Sequence, residues 1–142
     1  MVNPFRRTIR LMASSQPSGV VRAALGRSLC LITMSDSESF GIVILEAWDQ
    51  RRPVIVSKNC IASVELVVDG ECGLVADMEN LDEKIAGLLN DPVWANQMGA
   101  RGFARVQAEF RWDVIGAGLN DMLLGLSDSE GQKAIQSSGM SR

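Results

Sequence analysis

The sequence predicts an α/β domain in which a parallel sheet is flanked by helices and followed by a helical cluster. Short apolar runs of strand length alternate with helix-compatible segments and give way to three successive helical patterns. No tight hairpin signal separates residues 41–50 from the next strand, so the connection is expected to cross over through a helix. The 142 residues are 46% hydrophobic and show no internal repeat or dividing linker. They therefore suffice for one domain with a buried core.

The first part of the chain contains one helix and one strand. Residues 1–22 are treated as a poorly specified, basic lead-in. Within and just beyond it, residues 17–26 have a proline near the start, apolar residues on one side and a glycine at the end, which favours a short helix. Residues 28–33 form an apolar run of strand length, and we expect this strand to be buried on both faces of a parallel sheet.

The next segment, residues 41–50, is ambiguous on periodicity alone. Its run of four branched or large apolar residues suits a strand as well as a helix. Residues 53–57 are the better strand, so topology favours a helix over residues 41–50 with Ser39 as its N-cap. A helix that is apolar nearly all round is expected to be buried.

The second half of the chain has clearer start signals. Asn80 and Glu83 resemble a capping box, and Asp91 followed by Pro92 is typical of a helix start. The predicted elements are a short helical turn over 64–68, a strand over 72–75, helices over 80–89, 92–109 and 112–126, and a disordered tail over 127–142.

Composition excludes several classes of function. The formal net charge of -3 offers no bulk attraction for nucleic acid or an anionic membrane, and no apolar run is long enough to insert into a bilayer. The chain contains no histidine, which excludes a histidine base. Cys30, Cys60 and Cys72 have no paired spacing, so we expect reduced, mostly buried thiols in a cytoplasmic protein, and no metal or cofactor is expected.

The loop after the first strand carries the candidate site. Glu38 can accept hydrogen bonds from sugar hydroxyls, and Glu46, two turns into the following helix, can accept from a vicinal diol such as ribose. Gly41 permits close backbone approach, and the amides of Phe40, Gly41 and Ile42 can face a diphosphate or a sugar oxygen at the helix start. The alternative is that both carboxylates are solvated surface groups.

Seven segments extend this loop into an ordered pattern. They are Ser37-Glu-Ser-Phe-Gly-Ile-Val-Ile-Leu-Glu-Ala47, Pro53-Val-Ile-Val-Ser57, Glu65-Leu-Val-Val-Asp-Gly70, Gly73-Leu-Val75, Leu89-Asn-Asp-Pro92, Met98-Gly-Ala-Arg101 and Phe110-Arg-Trp112. In order and spacing they resemble the C-terminal half of the retaining family 4, or group 1, glycosyltransferases of GT-B architecture. The resemblance covers residues 23–126 and implies part of a Rossmann-like domain.

The resemblance also implies roles for the loop. It implies that Glu38 is the catalytic residue on the donor sugar and that Ser39, Phe40, Gly41 and Ile42 bind the donor near its sugar and phosphates. Glu46 would bind the ribose of a nucleotide diphosphate sugar, and transfer would retain the anomeric configuration without a metal.

The chain departs from the family pattern at several positions. Met34 replaces a usual proline, the pair Arg51 and Arg52 replaces a small residue and a glycine, residues 59–63 lack the usual glycines, and Arg111 replaces a Ser or Thr cap. The N-terminal acceptor domain and the first half of the C-terminal domain have no counterpart here. We therefore expect an incomplete unit, inactive alone, that needs a missing N-terminal domain or subunit or forms a homodimer. The alternative is a non-catalytic binding or interaction module.

Three further readings stay open. Glu65 either caps a short helix or contacts ligand, and the pair Arg51 and Arg52 forms either a solvated turn or a phosphate clamp. The three tryptophans, Trp48, Trp94 and Trp112, are expected in the core by default, as are the methionines at helical spacing.

Overall fold

The computed structural model describes residues 18–124 as a parallel sheet packed between helices. The elements are α1 (Ser18–Arg27), β1 (Leu31–Thr33), α2 (Ile42–Asp49), β2 (Val54–Ser57), α3 (Ile61–Leu66), β3 (Gly73–Ala76), α4 (Leu81–Asn90) and α5 (Pro92–Glu109). A last helix, α6, is described over residues 112–124. The three strands lie in the order β1-β2-β3 and pair in parallel, which confirms the predicted fold class. Most of the expected lead-in and the expected tail fall outside the described residues, and α1 runs across the expected boundary at residues 22–23.

Strand β2 separates two apolar layers. Val54 and Val56 pack with Trp48 of α2 on one face of the sheet, whereas Ile55 packs with Met98 of α5 on the other. This alternation follows from the two-residue period of a strand. Helices α1 and α2 therefore cover one face of the sheet, and α4 and the first half of α5 cover the other.

Strand β1 is less buried than the sequence predicted. Ile32 is 41% exposed, so the prediction that this strand is buried on both faces is wrong. Within residues 18–124, β1 pairs only with β2, through Leu31 opposite Val54, and therefore forms one edge of the described sheet. An edge strand has packing partners on one side only, which explains the exposure.

The assignment of residues 41–50 to a helix is confirmed, but Ser39 as its N-cap is wrong. The N-cap is Gly41, which has φ 75° in the left-handed region and is followed by no side-chain capping bond. The amide of Ile44 donates to the Gly41 carbonyl at 2.8 Å. A glycine suits this position because a Cβ would lie 3.0 Å from Ile44 Cδ1 in a backbone conformation that L-residues avoid. The helix is not buried all round, since Ile42 is 66% exposed.

Helix α2 ends in a Schellman motif without the glycine that usually forms one. The amide of Arg51 donates to the Trp48 carbonyl at 2.8 Å, and the amide of Arg52 donates to the Ala47 carbonyl at 2.9 Å. Arg51 takes the left-handed conformation with φ 54°, and its guanidinium lies 4.0 Å from the ring centroid of Phe103. The cation–π contact offsets part of the backbone strain. The arginine pair therefore forms a turn that packs against the protein, and Arg52 donates to the carbonyl of Gly26.

Two glycines let α5 pack tightly against α2. A Cβ on Gly99 would lie 2.1 Å from the Arg51 carbonyl oxygen, and one on Gly102 would lie 2.2 Å from Trp48 Cδ1. The Trp48 indole is fully buried, and its Nε1 donates to the Cys72 carbonyl at 2.9 Å. This close contact explains why a long helix keeps two residues of poor helix propensity.

The predicted caps had different outcomes. Asp91 is confirmed as an N-cap, because its carboxylate accepts from the Trp94 amide at 2.8 Å. The capping box at Asn80 is wrong: the Asn80 side chain accepts from the Asp77 amide at 3.0 Å and does not cap α4. The short helix α3 begins three residues earlier than expected, at Ile61, and carries Glu65 within it rather than as a cap.

The tryptophans and methionines do not all pack in the core. Trp48 and Met98 are fully buried, and Trp94 is half-buried. Trp112, at the start of α6, is 87% exposed, and Met78 and Met122 are also exposed. Core packing was therefore the wrong expectation for Trp112 and Met122, because helical spacing does not reveal whether a second surface is present. Met78 lies in the turn before α4, outside any predicted helix.

Candidate functional site

Three cavities surround the loop between β1 and α2. The Glu38 cleft, of about 370 Å³, is lined by Asp36, Ser37, Glu38, Asn59, Cys60, Ile61, Ala62 and Glu65. The Phe40 cleft, of about 270 Å³, is lined by Ser39, Phe40, Ala62, Glu65, Leu66 and Arg105. The Glu46 groove, of about 530 Å³, is lined by Arg22, Ile42, Leu45, Glu46, Asp49, Val106, Phe110 and Trp112.

The Glu38 cleft lies at the carboxyl ends of β1 and β2. One oxygen of Asp36 accepts from the Ser57 hydroxyl and from the Asn59 side-chain amide, both at 3.4 Å, which ties the loop to the end of β2. The Ser35 hydroxyl donates to the Ser37 carbonyl at 2.9 Å and tightens the turn before Glu38. The carboxyl ends of parallel strands are where open α/β sheets bind ligands, so the cleft has the expected location.

Cys60 joins the two walls of this cleft. The Ser63 hydroxyl donates to its sulfur at 3.2 Å. Hydrogen bonds from Ser63 and a weaker one from the Glu38 backbone lower the pKa of the Cys60 thiol, against the opposing effect of burial. Cys60 is only 2% exposed, and its thiol links the start of α3 to the backbone of Glu38. All three cysteines are free thiols.

The Phe40 cleft is bounded by an aromatic pair and a fixed arginine. The ring of Phe40 meets that of Phe110 edge to face, with centroids 6.2 Å apart. The guanidinium of Arg105 donates to Glu109 at 3.1 Å and to the Leu66 carbonyl, which anchors α5 to the end of α3. Arg105 therefore lines the cleft with its guanidinium held by Glu109 and by the Leu66 carbonyl.

The Glu46 groove lies on the exposed side of α2. Arg22 of α1 forms an ion pair with Asp49 at 2.8 Å at one end of the groove. Glu46 is half-buried, and its carboxylate makes no hydrogen bond or ion pair with residues 18–124. A half-buried carboxylate with free acceptor positions can take two hydrogen bonds from a diol.

The start of α2 lies among these cavities with its amides uncapped. The first amides of a helix have no partner inside the helix, and the macrodipole gives this end a partial positive charge. No side chain caps α2, and the neighbouring Ser39 and Phe40 are exposed. The arrangement suits a negatively charged group, such as a phosphate, at this end of the helix.

The predicted site residues are thus close in sequence around one helix start but line different cavities. Glu38 lines one cleft, Ser39 and Phe40 line a second, and Ile42 and Glu46 line the groove. Gly41 is buried as the N-cap between them. Their binding roles stay predictions.

Several lining residues were not predicted, among them Asn59 and Arg105. Asn59 lies two residues after β2, and its position at the carboxyl end of a strand was a usable signal. Arg105 lies in the middle of α5, and nothing in the sequence distinguishes it from a solvated helix residue.

Residues 18–124 contain no group of three or more His, Cys, Asp or Glu side chains placed to hold a metal ion. None of their helices is both long enough and apolar enough to cross a membrane.

The chain is similar to known proteins over most of its described length. Residues 11–105 match the family model for "Glycosyl transferases group 1". A GDP-mannose-dependent monoacylated alpha-(1-6)-phosphatidylinositol monomannoside mannosyltransferase of Corynebacterium glutamicum is 36% identical over 94 residues, which are 62% of this chain and 23% of that protein. The chain therefore spans about a quarter of the length of the curated relative.

Solved structures share the fold. A sucrose-phosphate synthase from Thermosynechococcus elongatus superposes with a TM-score of 0.65 at 30% identity, over 75% of this chain and 27% of that one. Anabaena HepE, crystallised with UDP-glucose, superposes with a TM-score of 0.66 at 21% identity, over 74% of this chain and 30% of that one. Both matches again cover less than a third of the longer protein.

Proposed function

This chain belongs to the group 1 glycosyl transferases, and we propose that it forms the donor-binding portion of a retaining enzyme that transfers a sugar from a nucleotide diphosphate sugar. The observation that carries the proposal is the uncapped start of α2, which lies between a carboxylate cleft and a carboxylate groove. The UDP-glucose bound by the Anabaena neighbour and the GDP-mannose used by the Corynebacterium relative support a nucleotide sugar as the ligand.

Each part of the donor has a proposed contact. Glu38 accepts hydrogen bonds from the sugar hydroxyls and positions the sugar for transfer, while Glu46 accepts from the two hydroxyls of the ribose. The diphosphate lies against the amides of Phe40, Gly41 and Ile42, where the helix dipole favours negative charge. Ser39 and the exposed Phe40 ring border the same position.

Among the described residues, those that line the three cavities do not offer an unpaired cation for the leaving diphosphate. The basic residues that line the three cavities are Arg22 and Arg105, and each already pairs with a carboxylate, Asp49 and Glu109 respectively. Departure of a diphosphate needs such charge stabilisation. We infer that positive charge from outside residues 18–124, supplied by an N-terminal domain, a subunit or a second copy of this chain, completes the site. The free thiols suit a reducing cytoplasm.

The same observation favours a second candidate, a non-catalytic module that binds a sugar nucleotide and turns nothing over. The two candidates differ in the presence of a partner, not in the contacts of Glu38 and Glu46. We expect no product from the purified chain alone in a transfer or hydrolysis assay. Clear turnover by this chain without a partner would contradict the incomplete-site proposal.

Calorimetric titration tests donor binding. GDP-mannose and UDP-glucose are titrated into the wild-type chain, into Glu46→Gln and into a control, Glu83→Gln, which removes the same charge from an exposed position on α4 outside all three cavities. We expect one donor to bind and Glu46→Gln to weaken it by about tenfold, since charge-assisted hydrogen bonds are lost. The absence of heat with either donor at millimolar concentration, or an equal effect of both variants, would contradict the proposal.

A further inference from the structure

The Glu38 cleft is unusual in the charge of its lining. Three acidic residues, Asp36, Glu38 and Glu65, line it, and no lysine or arginine is among its lining residues. The other polar contributors are neutral: Ser37, Asn59 and the Cys60 thiol. A ligand group in this cleft therefore meets mainly hydrogen-bond acceptors and negative charge.

Neighbouring cations do not cancel this charge. Lys58, which follows β2, is held by Asp77 at 2.6 Å. Arg105 shares the adjoining Phe40 cleft with Glu65, but its guanidinium is bound by Glu109 and the Leu66 carbonyl. The nearby positive groups of known position are thus already paired with other partners.

The Glu65 carboxylate has more freedom than that of Asp36 to act on a ligand. One oxygen of Asp36 is occupied by Ser57 and Asn59. The Glu65 side chain is exposed, makes no hydrogen bond or ion pair with residues 18–124, and lines both the Glu38 cleft and the Phe40 cleft. It therefore faces whatever part of a ligand extends from Glu38 towards α3.

Such a lining discriminates between sugars by charge. Neutral hydroxyls donate hydrogen bonds to carboxylates, whereas a carboxylate on the sugar is repelled and leaves acceptors facing acceptors. Coulomb repulsion between like charges within several ångströms reduces affinity by roughly three- to tenfold per pair in a solvent-accessible cleft. Added salt screens exposed pairs of this kind.

We propose that the Glu38 cleft selects donors with an uncharged hexose and rejects hexuronic acid donors, and that Glu65 is the specificity-determining residue. This inference rests on the proposed donor-binding function and adds to it the class of sugar. It also decides between the two roles that the sequence left open for Glu65, in favour of ligand contact.

The experiment compares donors that differ only at one carbon. UDP-glucose and UDP-glucuronic acid, and separately GDP-mannose and GDP-mannuronic acid, are titrated calorimetrically into the wild-type chain, Glu65→Gln and the charge-matched control Glu83→Gln. For the pair whose nucleotide binds, we expect the wild type to prefer the neutral donor by about tenfold or more. Glu65→Gln should narrow that preference by roughly three- to tenfold, mainly through tighter binding of the uronic acid donor, while Glu83→Gln should not. Raising the ionic strength should also narrow the preference of the wild type for the neutral donor.

The outcomes separate this inference from the function on which it rests. Equal wild-type affinity for the two members of a pair overturns the selection of neutral sugars, although donor binding then still stands. A preference that Glu65→Gln leaves intact overturns the role of Glu65. Failure of all four donors to bind overturns both the inference and the donor-binding function. Circular dichroism of each variant verifies that the exposed, isosteric substitution preserves the fold.

Discussion

Replacing Gly99 by alanine should destabilise the protein even though alanine is the better helix former. The added Cβ would lie 2.1 Å from the carbonyl oxygen of Arg51 and 2.6 Å from its carbonyl carbon. These atoms belong to the backbone turn that ends α2, so they cannot move aside as a flexible side chain would. Either α5 shifts outwards or the turn at Arg51 deforms.

The net effect follows from two opposing terms. Overpacking of a closely packed contact costs typically 1–3 kcal/mol, and about 3 kcal/mol is appropriate for a backbone obstacle at this distance. The gain in helix propensity from glycine to alanine is about 1 kcal/mol. The free energy of unfolding should therefore fall by about 2 kcal/mol, which lowers Tm by roughly 8 °C in a domain of this size.

Gly87 provides a matched control within α4. A Cβ there would find Trp94 Cζ3 at 3.6 Å, an ordinary van der Waals distance. Gly87→Ala should therefore raise stability by about 1 kcal/mol. Urea denaturation followed by tryptophan fluorescence and circular dichroism measures both variants. If Gly99→Ala is as stable as Gly87→Ala, the close approach of α5 to the end of α2 is wrong. The packing that fixes α2, and with it the position of Glu46, would then be wrong as well.

Two further predictions concern a cap and a thiol. Asp91→Ala should lower the free energy of unfolding by about 1 kcal/mol, because it removes the acceptor for the Trp94 amide; an unchanged urea midpoint would contradict the cap. Burial raises the pKa of the Cys30 thiol from 9.0 to about 11. Between these values the unfolded chain has lost a proton that the folded chain retains, so stability should fall as the pH rises through this window. Cys30→Ala should reduce that fall by an amount on the order of 1 kcal/mol, and identical pH profiles of urea denaturation for the two proteins would contradict it.

Much of the fold could be predicted because local signals and topology agreed. The apolar run of β2 and the cap and proline at Asp91 and Pro92 are local features, and the structure confirms both. Residues 41–50 were ambiguous locally, and the parallel order of the neighbouring strands decided correctly for a helix.

The wrong predictions concern features that depend on backbone conformation or on contacts between residues distant in sequence. Ser39 has the right chemistry for an N-cap, but the left-handed conformation of Gly41 delays the helix start, and no periodicity reveals that conformation. Trp112 has helical spacing like a core residue, yet the described part of the chain presents no second surface to cover it. The close approach at Gly99 depends on a turn almost fifty residues earlier, which sequence order does not disclose.

The sequence predicted residues of the candidate site, but not that these residues line separate cavities. Glu38 and Glu46 are eight positions apart, and the sequence suggested one continuous donor loop. In the structure, with the helix starting at Ile42, they line two separate cavities. Glu65 of α3 lines two of the cavities, which its sequence position did not reveal.

The most direct test of the proposed donor site is an amide NMR titration of the ¹⁵N-labelled chain with GDP-mannose and UDP-glucose. For the donor that binds, we expect saturable shifts of the amide signals of Phe40, Gly41 and Ile42. The nucleotide sugar should also shift the amide signals of Glu38 and Asn59 relative to their positions with the free nucleoside diphosphate. Gly41 to Ile42 should respond even to the diphosphate alone, because their amides face it at the start of α2. Shifts confined to residues remote from this helix start, or no shifts with either donor, would contradict the proposed donor site.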